Sequence, residues 1–250
     1  MIDKDKLNAG NIYAVSKPAV ILPTYNEQDN IKIITKNILS LNDRINIIIV
    51  DDNSPDGTGL TADALSKEYP EKIYVIHRLK KEGLGTAYID GFRFCIENGF
   101  DCIITMDADL SHDFNSIPVF LNEMEHYDFV IGSRYINGIR ILNWDFKRLL
   151  LSQFANYYVR KIGGLPFTDA TGGFNCFKVD VIKSININDM SSVGYSFLIE
   201  LKFKAYKNNF TIKEIPITFS QRNAGISKLS KKVFLEAMFM VLKLRLRLIR

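Results

Sequence analysis

Residues Ile103–Asp113 read IITMDADLSHD. The stretch opens as an apolar run of the kind that belongs in a buried strand, and it ends on Asp107 and Asp109. An unpaired carboxylate is costly to bury, so each acid needs a cation, a hydrogen-bond partner or water. Two acids one residue apart also repel each other. The segment therefore predicts a strand whose far end is either wet or built around something positive.

The same pattern recurs outward from this stretch. PAVILP (18–23) reads as a short buried strand, with TYNEQDN running on into a helix. INIIIVDD is a second strand and NSPDGTG its turn. LTADALSKEY is a helix, KIYVIHR a third strand, and GLGTAYIDGFRFCIENG a glycine turn plus helix. DCIITMDAD and DFVIGSRY supply strands four and five. Apolar runs alternating with helical patterns imply crossovers and a mainly parallel sheet. In such sheets ligands bind beyond the carboxyl ends of the strands. Here those ends carry PTYNE, VDDN, HRLKKEGLG, MDAD and GSRY, and most of them hold acids, bases or an aromatic.

The second half is less regular. FKRLLLSQFANYYVRKIGG reads as an amphipathic helix with basic residues near both ends, and TDATGGFNCF as a glycine turn between elements. YSFLIELKFKAYKNN is a further helix, TIKEIPITF a strand, and QRNAGISKLS a polar loop before the last helix.

Composition allows one large domain. The 250 residues are 47% hydrophobic and 24% charged, with no Gly/Ser/Pro-rich linker and no internal repeat. The three cysteines have no metal-ligand spacing, which fits a reducing compartment and small buried residues. The first 17 residues are polar and carry no signal-peptide pattern. No run reaches the roughly 18 to 20 uncharged residues of a spanning helix. Net charge is +4, unevenly spread: Gln221–Arg250 hold eight basic residues against the single acid Glu236. A basic tail on a mildly acidic body points to an anionic partner such as a membrane surface, a phosphate or a nucleic acid. The tail's only aromatics, Phe234 and Phe239, precede its basic cluster, which argues against a nucleic-acid groove.

In an extended segment, residues one apart point the same way, so Asp107 and Asp109 are expected to face one point. A hard divalent cation, Mg²⁺ or Mn²⁺, takes oxygen ligands and shares them with substrate phosphates. VDDNSPDGTG partly mimics a calcium loop at Asp52, Ser54, Asp56, Gly57 and Asp63, but Pro55 and the preceding strand argue against one. A turn with Asp51 or Asp52 accepting hydrogen bonds from a nucleobase or ribose fits better. GLGTA is neither a dinucleotide fingerprint nor a P-loop. Arg134, Arg148, Arg222 and Lys228 together suit a leaving diphosphate and an incoming phosphate. His77, His112 and His126 show no metal or nucleophile pattern and read as structural or surface residues.

LPTYNEQDNI, IIIVDDNSPDGT, GLGTAYIDGF, MDADLSHD, GSRY, DATGGF and GISKL occur in that order. The chain thereby resembles the dolichol- and polyprenol-phosphate mannose synthases, inverting GT-A members of glycosyltransferase family 2, from about Pro18 to Lys232. The resemblance implies an α/β, Rossmann-like GT-A fold: a mixed, mainly parallel central sheet with flanking helices, and amphipathic interfacial helices in the C-terminal half. It implies a catalytic domain over residues 1–232 and a basic amphipathic helix over 233–250. Pro23, Tyr25, Glu27 and Asp51 or Asp52 would line the nucleoside pocket. Asp107, Ala108 and Asp109 would lie at the diphosphate, with Asp109 a direct metal ligand and Asp107 a direct or water-mediated one. Ser111 stands where some members use a further ligand. Asp107, Asp109, Arg134 and Arg148 would carry catalysis, and Arg134, Arg148, Arg222 and Lys228 would bind the donor diphosphate and the acceptor phosphate. Asn175 departs from the basic residue that many members carry after TGGF, which removes a cationic contact from that turn.

The implied acceptor is a polyprenyl or dolichyl monophosphate, already anionic near neutral pH, so little general-base work is needed and Asp169 is not the expected base. Catalysis would come from alignment and from stabilising the leaving diphosphate. The implied donor is GDP-mannose, with UDP-glucose the alternative, and a non-enzymatic nucleotide- or calcium-binding module the reading from another class. The expected location is peripheral, on the cytoplasmic side of a membrane, with a membrane-anchoring partner subunit or a homodimer both compatible with the residues.

Overall fold

The computed structural model describes residues 15–187, 190, 192, 194, 196–220 and 231–246. Seven strands form one sheet: β1 (Pro18–Thr24), β2 (Asn46–Asp51), β3 (Ile73–His77), β4 (Cys102–Thr105), β5 (Phe129–Ser133), β7 (Asn175–Lys178) and β8 (Ile212–Pro216). Their order is β3-β2-β1-β4-β7-β5-β8, and every pairing is parallel except the two made by β7. Two short strands, β6 (Ile141–Leu142) and β9 (Phe219–Ser220), pair beside it.

Strands β1 and β2 carry unbroken apolar runs because both faces are covered. Ala19 and Ile21 of β1 join Ile48 and Val50 of β2 in one core, while Val20 and Leu22 join Ile47 and Ile49 in the other. Helices α1 (Gln28–Leu39), α2 (Thr58–Glu68) and α4 (Ile117–Glu123) cover the second face through Ile34, Leu65 and Phe120. Helices α3 (Leu84–Glu97), α6 (Val179–Ser184) and α7 (Ser196–Lys207) cover the first through Phe92, Ile182 and Phe197. Gly91 lets α3 approach β1: a Cβ there would sit 2.8 Å from Ile21 Cγ2. Cys95, Cys102 and Cys176 are free and buried, as their spacing predicts.

Strand β7 is an addition to the expected turn in TDATGGFNCF. Only Cys176 and Phe177 in it are apolar, too short a run for a period to show, yet Asn175–Phe177 are wholly buried in mid-sheet. Helix α4 is likewise unannounced in the sequence pattern.

Helices α5 (Phe146–Gly163) and α8 (Lys231–Arg245) lie side by side, and Tyr158 Oη donates to the Met238 carbonyl at 3.3 Å. Asp145 caps α5 by accepting from the Arg148 N–H at 2.9 Å, and Gly164 ends it in the left-handed region at φ 73°. Helix α8 starts at Lys231 and buries Met240, Val241 and Leu244 in the core shared with α7. Among the described residues, no helix is long and apolar enough to cross a membrane.

Candidate active site

The carboxyl ends of β1 and β2 are laced together. The N–H groups of Asn26, Glu27 and Gln28 donate to Ser54 Oγ, Thr58 Oγ1 and Asp56 Oδ2 at 3.1, 2.9 and 3.2 Å. Asp51 is buried and accepts from Thr24 Oγ1 and Ser54 Oγ at 2.9 and 2.6 Å. Pro23 is the last residue but one of β1, Tyr25 carries the Lys81 ammonium 3.5 Å above its ring, and Glu27 accepts from Asn30 at 2.9 Å. Asp52 pairs with the buried guanidinium of Arg78, which also reaches Glu82 and Asp90 at 3.0 and 2.9 Å. The structure therefore adds Arg78, whose one visible signal is a basic residue just past a strand end. The calcium-loop likeness dissolves here. Asp52, Asp56 and Asp63 bind Arg78, Thr58 and His77 respectively and share no centre.

The motif at the end of β4 differs from its expected geometry. The strand stops at Thr105, and Asp107 and Asp109 lie on the turn beyond it, where Leu110 takes φ 62°. The alternation of an extended strand therefore does not orient these carboxylates. Hydrogen bonds hold the Asp109 carboxylate: its Oδ1 accepts from the Ser111 N–H at 3.1 Å and from Ser111 Oγ at 2.5 Å. The Asp107 N–H donates to His112 Nδ1 at 3.3 Å. His112 is buried, stacked on Phe174 with ring centroids 5.0 Å apart. Burial pushes its pKa down despite the charges of Asp107 and Asp109.

Among the described residues, no three His, Cys, Asp or Glu side chains cluster as a self-sufficient metal cage. The donor set still fits a divalent cation of the kind expected. Mg²⁺ and Mn²⁺ bind through one or two carboxylates and complete their shell with water and substrate phosphates. Asp107 and Asp109 could supply those carboxylates, while the Ser111 hydroxyl donates to Asp109.

Arg134, just past β5, is buried against Asp169. Its Nε and Nη2 donate to the two carboxylate oxygens at 2.6 and 2.8 Å, and its backbone N–H adds a bond at 3.0 Å. Burial works to raise the Asp169 carboxyl, but the Arg134 charge and hydrogen bonds outweigh it and hold the group below the usual Asp range. Arg148 lies over the Trp144 ring at 4.0 Å, and Trp144 also faces Arg134 at 5.7 Å. Thus Arg134, Arg148 and Trp144 form one cluster. Arg222, Lys228 and the loop QRNAGISKLS lie outside the described residues.

Residues 19–185 match the model of the family described as glycosyl transferase family 2. The chain belongs to glycosyl transferase family 2. This family 2 glycosyltransferase is 40% identical over 223 residues to the polyprenol monophosphomannose synthase of Mycolicibacterium smegmatis, covering 89% of this chain and 84% of that protein. It is 38% identical over 217 residues to the undecaprenyl-phosphate mannosyltransferase of Micrococcus luteus, covering 87% and 89%. Among solved structures, glucosyl-3-phosphoglycerate synthase of Mycobacterium tuberculosis, with Mn²⁺, uridine diphosphate and glucosyl-3-phosphoglycerate, shares the fold. That likeness has a TM-score of 0.68 at 16% identity and covers 96% of this chain and 81% of that one. The expected GT-A fold is therefore the observed one.

Proposed function

We propose that this family 2 glycosyltransferase transfers mannose from GDP-mannose to a polyprenyl monophosphate, inverting the anomeric centre. The observation that carries the reading is the 40% identity, over most of both chains, to a protein named for polyprenol monophosphomannose synthesis. The site chemistry supports it independently.

Tyr25, Glu27, Asp51, Asp52 and the β1 end at Pro23 would hold the nucleoside. Asp107 and Asp109 would hold a divalent cation, and Ala108 would pack beneath the diphosphate. The cation, when bound, neutralises charge on the leaving diphosphate. Ser111 orients the Asp109 carboxylate through two hydrogen bonds. Arg134 stays paired with Asp169, a pair of no net charge, so the positive charge of its cluster with Trp144 comes from Arg148. Arg148 would meet the acceptor phosphate, with Arg222 and Lys228 supplying further cations. No side chain need remove a proton, because a phosphate monoester is already anionic. Asp169, held below the usual Asp range and bound to Arg134, is a poor base.

A membrane surface is the proposed setting. Phe146, Leu150, Phe154 and Tyr157 form an exposed apolar stripe on α5, and Phe239, Leu242 and Leu246 form another along α8 and its end. Lys147, Arg160, Lys161, Lys243 and Arg245 border them, the arrangement of helices that lie in an anionic lipid interface.

Radiolabelled nucleotide sugars offered with polyprenyl phosphate and Mg²⁺ or Mn²⁺ test the reading. GDP-mannose is expected to label the organic phase, with a β-linked product and no labelling in EDTA. Preferred labelling from UDP-glucose would overturn the donor assignment.

A further inference from the structure

Helix α7 carries a lysine where a core residue belongs. Lys202 is wholly buried, on the helical face of Leu198 and Ala205, and Lys is almost never found so unless paired. Its Nζ donates to the Ala170 carbonyl at 3.2 Å and to the Gly172 carbonyl at 2.7 Å. Asn175 Nδ2 donates to the same Gly172 carbonyl at 3.3 Å and to Thr105 Oγ1 at 3.2 Å. The turn 169–173 is thus held from below by a side chain on another helix. This turn reaches both halves of the site. Asp169 grips Arg134, Thr171 Oγ1 accepts from Arg134 Nη2 at 2.9 Å, and a Cβ on Gly173 would lie 3.7 Å from Asp107 Oδ1.

We propose that Lys202 is a positioning residue for sugar transfer: it fixes the 169–173 turn so that Arg134 and Asp107 keep their places on either side of it. The proposal rests on the transfer reading above for its kinetic part. Beneath the turn, Lys202 Nζ and Asn175 Nδ2 share the Gly172 carbonyl. The charges facing Lys202 are Asp169, Arg134 and Glu214, whose carboxylate accepts from the N–H groups of Thr168 and Asp169 at 2.8 to 2.9 Å. Burial, the largest influence, pushes the ammonium down to about 7. An apolar residue would avoid that cost but would leave the Ala170 carbonyl without this donor.

The test compares the parent with Lys202→Met, and with Lys202→Gln as a variant that keeps a donor, at a temperature where all are folded. Amide hydrogen exchange of the peptide covering 168–175 is expected to quicken about tenfold in Lys202→Met, with β1 and β2 peptides unchanged. Transfer is expected to lose about 10² in kcat with the donor KM little moved, and Lys202→Gln to fall between. Unchanged exchange in the turn, or exchange quickened evenly across the chain with activity tracking the melting temperature, would overturn the proposal. A parent that transfers no sugar fails the functional reading alone, because the exchange comparison still decides whether Lys202 holds the turn.

Discussion

Replacing Asp169 with Asn tests the Arg134 cluster at its most buried point. The Asp169 side chain is wholly buried, and its carboxylate accepts three bonds from Arg134 within 3.0 Å. The amide has nearly the same volume, so no cavity forms. It loses the charge and turns one acceptor into a donor facing the guanidinium. Removing one partner of a buried ion pair costs about 3 to 5 kcal/mol, because the other charge stays buried without compensation. For a chain of this size that corresponds to a fall of about 6 to 20 °C in melting temperature. Thermal melts followed by circular dichroism, with urea unfolding for the free energy, measure it directly. Arg134→Met alone and combined with Asp169→Asn completes a double-mutant cycle, and the double variant is expected to be more stable than the two single losses summed. An Asp169→Asn protein within about 1 kcal/mol of the parent would refute the argument that this pair is desolvated and tightly coupled.

Asp109→Asn is expected to abolish divalent-dependent transfer while shifting stability by less than about 1 kcal/mol, since it removes a charged ligand and little volume; activity assays over a metal titration, beside a melt, check it. Lys202 has a folded pKa of about 7, below that of a lysine in an unfolded chain. Between about pH 7 and 10 unfolding therefore takes up a proton, and this group makes stability rise with pH by at most about 1.4 kcal/mol per pH unit. Urea unfolding across that range is expected to show a shallower slope for Lys202→Met than for the parent. Deleting the chain from Lys243 would also remove the buried Leu244, so charge substitution is the cleaner probe of membrane binding. Lys243→Gln with Arg245→Gln is expected to weaken binding to anionic liposomes by about 2 kcal/mol at low salt, an effect that fades at high salt, while donor-nucleotide binding holds.

What the sequence revealed follows from the range of the forces involved. Strands β1 and β2 were legible because both faces are buried, which writes an unbroken apolar run into PAVILP and INIIIV. Strand β7 was not, because its four residues gain their stability from neighbours on both sides. Asp107 and Asp109 were legible as chemistry, since acids at the end of an apolar run need an explanation. The setting of Asp109 was not, because it depends on a left-handed Leu110 and on Ser111. Arg134 stood out in GSRY, but its partner lies 35 residues on, where Asp169 shows no local sign of being an ion-pair partner. Lys202 was the hardest to see. Among the lysines of LKFKAYK only the fold separates the buried Lys202 from the half-buried Lys204 and the exposed Lys207.

The most direct test of the central claim is the acceptor requirement. GDP-[¹⁴C]mannose and Mg²⁺ are incubated with the protein and either polyprenyl monophosphate or the matching unphosphorylated polyprenol, and label in the organic phase is counted. The account predicts labelling with the monophosphate alone, because a phosphate needs no deprotonation and Asp169, bound to Arg134 and held below the usual Asp range, is a poor base for a hydroxyl. Equal labelling of the free alcohol, or none of the monophosphate, would contradict it.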